Sequence, residues 1–444
     1  MNNLHTTINS KASSPKGYAL LVCNIITNNE TSINLIDVVH DIKINESLYA
    51  SGLTADIFIL DSLSLLHELK LSGNEKIELV IGRNEPNGKQ KTFDLTLYIA
   101  AIKGYSTPNP SSKSYTLECV SKHVYLNNSK ILNRPFEGNA SDIIKKVVNK
   151  DLNTSVTLKA KAESKNLIKG IFTNLQPLQG ISWLLRNSFD NGTPFYFYET
   201  AFEGVILNSY NQILKDYKNK PYKSYNNYPF FISSVGDGKD GEKLFEEESS
   251  KITKIVSQLN LSKHAATLKG SYTSMVNTIN ISNKTVSRRK RFTKLKSTKN
   301  LLNNNPAITS EMKIDNKKIS EFEPSKQHYI SINTKAFSSN YKNYHQPTWY
   351  TIEDSIAAQH SLDTIQQEII IPGDFELCCG KIVNLNLLKN ADVTEELIEN
   401  DTFKDDILSG NHLVTGILHH FGKEGYNMNV VLKKDSFIKP LVGI

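Results

Sequence analysis

Cysteine, methionine and tryptophan are scarce in this chain, at 4, 4 and 2 residues among 444. The cysteines stand at 23, 119, 378 and 379, with no Cys-x-x-Cys spacing, so neither a thiolate zinc site nor a disulfide framework is written into the sequence. Adjacent residues on a strand point to opposite faces, so Cys378 and Cys379 do not converge on one ion. Free thiols in a reducing compartment are the expectation. No window approaches the roughly 18 apolar residues of a membrane helix, so no membrane association of the free protein is expected. Residues 1–16 are polar and lack the apolar centre of a signal peptide, and they read as a flexible arm.

Motifs that carry chemistry are equally short. The stretch 236–241 is glycine-rich but lacks the Gly-Lys-Ser/Thr ending of a phosphate loop, and Lys239 stands where a calcium loop needs an oxygen ligand. His419 and His420 are neighbours on a predicted strand and diverge, with no His-Glu-x-x-His and no third ligand at a useful spacing. There is no Gly-x-Ser-x-Gly elbow. Glu246, Glu247 and Glu248 form a solvated acidic run, whereas glycosidase carboxylates face each other from separate elements. The expectation is a protein without catalysis, cofactor or metal.

The balance of charge is mildly basic, +7 overall, and mostly spread out. The local exception is Arg288, Arg289, Lys290 and Arg291, followed by Lys294 and Lys296. A base reader needs stacking aromatics or a recognition helix beside such a run, and only Phe292 is close. A solvated or protein-contacting loop is therefore favoured over nucleic-acid binding, and these four residues are the candidate partner contacts.

What the chain does contain is one pattern written twice. Near the N-terminus, Gly73 precedes strand-like runs at 76–81, 93–102 and 115–120. Near the C-terminus, Gly380 precedes runs at 381–385, 413–418 and 426–432. The middle runs align so that Tyr98 meets Leu413 and Ala101-Ile102 meets Gly416-Ile417. In the last runs, Tyr115, Leu117 and Cys119 share one face, as do Tyr426, Met428, Val430 and Leu432, the alternation of a half-buried wall.

Between the two modules the pattern changes. Asn139 stands as a helix N-cap before an apolar face of Ile143, Ile144, Val147 and Val148. A second helix follows Pro177, with Leu178, Ile181, Leu184 and Leu185 as its stripe, and Asn191-Gly192 breaks before an aromatic strand at 195–198. Residues 206–345 are rich in Asn, Lys, Ser and Tyr and include a stretch at 283–326 with little periodicity, read as a long insertion. Tyr222, Tyr225, Tyr228, Phe230 and Phe231 fit either the core of the second module or an interface. Residues 353–368 read as a helix, and 393–408 as an acidic, helical insertion.

The run Glu46-Ser47-Leu48-Tyr49, then 55–61 and Gly73-Asn74-Glu75-Lys76-Ile77, resembles the opening of the baseplate hub proteins of contractile-tailed phages, the T-even type in particular. Asn133-Arg134-Pro135-Phe136 before a helix, the helix at 181–188, Ile371-Pro372-Gly373-Asp374 and the run 413–420 are similar to the same tail-hub group, in the same order. The resemblance covers most of residues 17–437 and implies an α+β, β-dominated fold. Its parts are two similar tube-type antiparallel β-barrel domains, the second discontinuous, with a small α/β domain and a long insertion.

The implied domains are a flexible arm at 1–16, a first tube-like domain at 17–125 and an α/β domain at 126–205. A second tube-like domain is drawn from 206–235 plus 346–440, around an insertion at 236–345 with the basic loop, before a tail at 441–444. The long basic insertion and the acidic 393–408 stretch depart from the T-even pattern. The resemblance further implies a homotrimer whose pseudo-sixfold ring docks on the tail tube or tube-initiator proteins, carries a central spike, and gives non-specific contact with genomic DNA in its lumen. The chain ends at Ile444 without the oligonucleotide-fold and Gly-periodic tail of a spike, so a separate spike is expected. The implied place is the virion tail baseplate, assembled in the host bacterial cytoplasm. The alternatives are the hub of a prophage-derived contractile injection system and a tail-associated cell-wall hydrolase.

Overall fold

The strands organise around alternation. A computed structural model describes residues 14–440 except 63, 67–70, 72, 74, 86–88, 110–111, 153–156, 165–166, 228–239, 260–272, 281–283, 293–300, 307–312, 319–320, 322–325, 333–347 and 390–402. Residues 1–13 of the arm, 236–239 of the glycine-rich stretch, Tyr228, Phe230, Phe231, 393–402 and 441–444 therefore lie outside the described residues.

In the N-terminal part the strands are β1 (Ala19–Ile26), β2 (Ser32–Asn34), β3 (Val39–Ser47), β4 (Thr54–Asp61), β5 (Lys76–Asn84), β6 (Gln90–Asn109) and β7 (Ser112–Ser121). After the short helix α1 (Lys122–Asn127) come β8 (Pro135–Asn139), α2 (Ala140–Lys150), β9 (Lys159–Ala160), β10 (Leu167–Ile171), α3 (Pro177–Arg186), β11 (Phe189–Asp190), β12 (Thr193–Thr200), β13 (Gly204–Ser209) and α4 (Tyr210–Tyr217). The middle holds β14 (Ser224–Asn226), α5 (Asp240–Ser249), β15 (Lys254–Leu259), β16 (Thr273–Asn280), β17 (Thr285–Phe292), β18 (Asn305–Pro306), β19 (Lys313–Ile314), β20 (Lys317–Lys318) and β21 (Lys326–Ile332). The C-terminal part is α6 (Thr348–Leu362), β22 (Ile365–Pro372), β23 (Ile382–Asn386), β24 (Gly410–Gly422), β25 (Gly425–Lys434) and β26 (Ser436–Phe437).

The fold is α+β with sheet dominant, and its main sheet runs β15-β22-β25-β24-β3-β4-β7-β6-β5-β1-β2, with β23 on β24 and β14 on β23. Two halves with one plan meet in it. The path β3-β4-β7-β6-β5 matches β15-β22-β25-β24-β23 strand for strand. Both middle ladders carry a bulge at the same place: β6 against β7 shifts between Ile99 and Ala101, and β24 against β25 between Val414 and Gly416. That places Tyr98 with Leu413 and Ala101 with Gly416, the alignment read from the sequence. The halves differ at one end, where β1 is antiparallel to β5 but β14 runs parallel to β23.

Alternation makes each wall. Tyr115, Leu117 and Cys119 are buried on β7, and Tyr426, Met428, Val430 and Leu432 on β25. Each such side chain contributes about 1.5–3 kcal/mol by leaving water. One hydrophobic cluster runs through both halves, and Phe93 of the first meets Phe375 of the second at 4.7 Å between ring centres. A separate core, containing Ile144, Val147, Ile181, Leu184 and Phe197, fills the α/β unit. There Pro177 pre-sets the first helical turn of α3, and Gln176 and Gln179 cap it reciprocally. Asn191 and Gly192, both at positive φ, turn β11 into β12.

Several expectations are corrected. The helix read over 353–368 ends at Leu362, and β22 begins at Ile365. Ile365, Gln367, Ile369 and Ile371 are buried at period two there, so sheet pairing outweighs the grouping of Ile365 with Ile356 and Leu362 on a helix face. Asn139 does occupy the N-cap of α2, but its side chain makes no capping hydrogen bond. Cys378 and Cys379 lie in a turn after β22, not on a strand, and both are buried. Within the stretch of little periodicity, Leu301 and Leu302 are buried and β18 pairs β26. Asn303 holds this crossing by donating to the carbonyls of Asn411 and Ser436, each at 3.1 Å. The end of the arm is also tied down: the Lys16 carbonyl accepts from the Tyr426 N–H at 2.7 Å, and Pro15 accepts from Arg83.

Lys434 at the end of β25 is fully buried, donating to the Ser409 carbonyl at 2.6 Å. Burial pushes its ammonium down to about 7, against the opposing pull of Asp405 and Asp435. From about pH 7 to the ordinary lysine value, the unfolded chain binds more protons here than the folded one, so folding gains stability as pH rises. Below about 7 both states are protonated and the contribution is flat. Relative to Lys434→Met, the wild type is expected to gain about 2 kcal/mol between pH 7 and 9, read from urea unfolding midpoints.

Candidate assembly interface

The two halves join through a ladder. β24 pairs antiparallel with β3, Gly416 opposite Ser47 through to Phe421 opposite Ile42. Glu46 sits in this seam with its side chain shut off from water. One carboxylate oxygen accepts from the Ala201 N–H at 2.6 Å and from His419 Nε2 at 3.2 Å, and the other from the Cys379 N–H at 3.3 Å. His419 Nδ1 meets the Tyr426 hydroxyl at 2.8 Å. His420, on the opposite face of β24, meets Asp41 of β3 at 2.8 Å. The adjacent histidines diverge, as alternation requires, and each is engaged by a carboxylate of the other half.

Each half also leaves an edge. β15 pairs β22 on one side and no described strand on the other. On it Val256 is 54% and Leu259 44% exposed. β6 is long: residues 90–98 pair β5, while beyond the bulge its outer half pairs β7 on one side and no described strand on the side that β5 occupies earlier. Tyr105 in that outer half is 48% exposed. Backbone donors and acceptors on an open edge are a template for another strand.

Arg288, Arg289, Lys290 and Arg291 lie on β17, opposite Asn277, Val276, Met275 and Ser274 of β16. Only their backbone is described, and it is a strand where the sequence suggested a loop. Of the aromatic candidates, Tyr225 is fully buried on β14, and Tyr222 donates to Asp374 at 3.0 Å. A polar cleft beside them is lined by Arg83, Glu85, Lys223 and Asp374. Its charges face each other: Arg83 pairs Glu85 at 2.8 Å, and Lys223 approaches Asp374 at 4.0 Å. Burial pushes the Cys23 thiol up to about 12 and raises Cys119, Cys378 and Cys379 above the usual thiol range, so all four are protonated and poor nucleophiles. The seam and the edges were missed in the sequence. Their only signal was the repeat itself, which implies that what one half binds the other half also offers.

No family model matches the chain, and no curated protein sequence matches it. Solved structures do. The tail protein from Neisseria meningitidis MC58 superposes with a TM-score of 0.51 at 11% identity, covering 94% of this chain and 97% of that one. The prophage MuSo2 tail protein from Shewanella oneidensis gives 0.50 at 10% identity, covering 94% of this chain and 99% of the other. This is a tail-protein fold. That fold agrees with the tail-protein resemblance drawn from residues 46–77 and 371–420.

Within that tail-protein fold, the Glu46 clamp is the test of the seam. Glu46→Ala leaves His419 and two backbone N–H groups without their acceptor in a dry site. The expected cost is about 3 kcal/mol or more, measured by urea unfolding. The exposed neighbour Asn45→Ala is expected to change stability by less than about 0.5 kcal/mol.

Proposed function

We propose that this chain is the structural baseplate hub of a contractile phage tail. Three copies form a pseudo-sixfold ring that adapts the sixfold tail tube to the threefold central spike and continues the DNA channel. The observation that carries the reading is the matched strand order of the two halves, with the bulge at the same position, joined in one continuous sheet. A threefold spike cannot match a sixfold tube without an adapter, and a duplicated module in a homotrimer is one. The tail-protein fold of the Neisseria and Shewanella structures supports it.

In this reading the tube-like domains are 17–125 and 206–235 plus 346–440, with β15 added to the second. Because β13 pairs β12 and leads into α4, the boundary between the α/β domain and the second tube-like domain moves from 205 to 217, and the remainder of 236–345 is an insertion. The partners are the spike, the tube or tube-initiator proteins and, in the lumen, genomic DNA. The protein acts in the virion tail after assembly in the bacterial cytoplasm, and no catalytic role is part of the proposal. That the Shewanella neighbour is a prophage protein favours a second reading, the hub of a prophage-derived contractile injection system.

Light scattering on the purified full chain is expected to give three times 49.9 kDa. A monomer at micromolar concentration, persisting when the spike is added, sinks the hub. Arg288, Arg289, Lys290 and Arg291 are assigned to an acidic partner or the genomic DNA. Duplex DNA is then expected to bind weakly and without sequence preference, with affinity falling steeply between 50 and 200 mM salt, as about 6 phosphate contacts would dictate. Changing all four to Ala is expected to flatten that salt slope in filter binding. Tight binding that survives physiological salt argues for a dedicated nucleic-acid protein instead.

A further inference from the structure

A base reader needs an aromatic beside its basic run, and chain order supplies only Phe292. The sheet supplies another from far along the chain. β16 lies between β17 and β21, antiparallel to the first and parallel to the second. Arg288 and Tyr329 are both in register with Asn277, one on each side of it. At one strand spacing each, their backbones stand about 10 Å apart. Both ladders keep one register along their length, so alternation sorts the positions into two faces. Met275, Asn277, Ile279, Val286, Gln327 and Tyr329 share one face with positions 288 and 290. Positions 289 and 291 belong to the other.

The face of Tyr329 is open. Tyr329 is 70%, Val286 63% and Ile279 40% exposed, and Val286 stands directly opposite Ile279. The Tyr329 hydroxyl donates to Gln327 Oε1 at 3.1 Å, and Asn277 Nδ2 donates to the same oxygen at 3.1 Å. The tyrosine is thus tethered at its tip while most of its surface meets solvent. The three strands contain no Asp or Glu, and they carry Arg288, Arg289, Lys290, Arg291 and Lys326. The cores of protein–protein interfaces are depleted of charge. Here charge of one sign runs along a strand beside an exposed aromatic, which is the composition of a nucleic-acid groove.

We propose that this face of β16, β17 and β21 binds single-stranded nucleic acid. One base lies on Tyr329, a neighbouring base or sugar on the Ile279–Val286 pair, and the phosphates at positions 288 and 290. Every base has a π-face and every nucleotide a phosphate, so a platform of this kind tolerates any sequence. A duplex keeps its base faces inside the stack and offers the tyrosine nothing, whereas a single strand offers both groups. The proposal rests on the nucleic-acid half of the assignment made for the basic run. It goes beyond that assignment by naming the strandedness and the base contact, and it does not depend on the three-copy ring.

The test is fluorescence anisotropy on the full chain with labelled thymine deoxyoligomers of about 12 nucleotides, single-stranded or annealed to their complement, at about 100 mM salt. The single strand is expected to bind about tenfold more tightly than the duplex. Tyr329→Ala is expected to abolish that difference, weakening the single strand about tenfold and the duplex less than about twofold. Tyr329→Phe keeps the ring and is expected to stay within about threefold of the wild type. Arg288→Ala with Lys290→Ala is expected to weaken single-strand binding several-fold more than Arg289→Ala with Arg291→Ala, although each pair removes the same charge. Each variant is read only where its circular dichroism spectrum and light-scattering mass match the wild type. Equal binding of the two forms, unmoved by Tyr329→Ala, overturns the base contact and leaves phosphate-only binding standing. Equal losses from the two charge pairs overturn the choice of face. Absence of binding to either form overturns both this site and the nucleic-acid assignment of the basic run, and leaves the hub reading untouched. A uracil ribo-oligomer is expected to bind as well as the thymine one. A preference above about tenfold for either overturns a site built on base faces and phosphates alone.

Discussion

A carboxylate held away from water at the junction of three parts governs this structure. Glu46 comes from β3, His419 from β24, and the Ala201 and Cys379 N–H groups from the α/β unit and the turn after β22. Burying an ionised carboxylate costs several kcal/mol unless its oxygens are filled, so all three parts have to arrive together. The seam cannot slide. A one-residue slip of β3 on β24 would turn Glu46 to the exposed face and bring Asn45 or Ser47 into the dry site. One side chain thereby sets the spacing and angle between two similar sheets.

The aromatic packing around that point acts the same way. Phe421 and Tyr426 stack with ring centres 4.2 Å apart, and Phe93 of the first half packs against Phe375 and His419 of the second. Because the hydrophobic cluster is shared, the halves are not beads on a tether. A fixed step between modules is what an adapter ring requires. Flexible halves would give chains of variable closure, whereas a rigid step repeated from copy to copy has one closed solution.

What was legible in the sequence followed from local periodicity. The walls of β7 and β25 alternate strictly, and the offset of Tyr98 on Leu413 was readable because each half carries its extra residue at the same distance from its aliphatic run. The apolar faces of α2 and α3 were legible for the same reason. Non-local competition hid the rest. Ile365 was grouped with Ile356 and Leu362 on or near one side of a helix, but β25 and β15 flank residues 365–368 on both sides and draw them into the sheet. Leu301 to Asn303 have no period because they are anchored by Asp435 and Ser436, far along the chain. Glu46 drew no reading of its own from the sequence, since nothing within its neighbourhood reports a histidine on β24. The basic run looked like a loop because strand preference in β17 is set by pairing with β16 more than by Arg and Lys.

Open edges are hazardous, and these two carry features that limit what can join them. β15 is 6 residues long, and the β3–β24 seam also has its register over six consecutive pairs. On β6, Pro108 offers no N–H, so a continuous ladder has to end before it. Between the bulge at Ile99 and Pro108 the ladder is interrupted again, by a register shift between Lys103 and Ser106 where Gly104 takes a positive φ, so this edge offers no long regular template. Lys103 is drawn to Glu118 of β7 at 2.6 Å, and Lys254 opens β15 with a charge. A longer or flatter apolar strand gains little on such an edge, because its extra residues would face proline or lysine without a partner. The bulged, charged edge is thus guarded against indiscriminate strand addition.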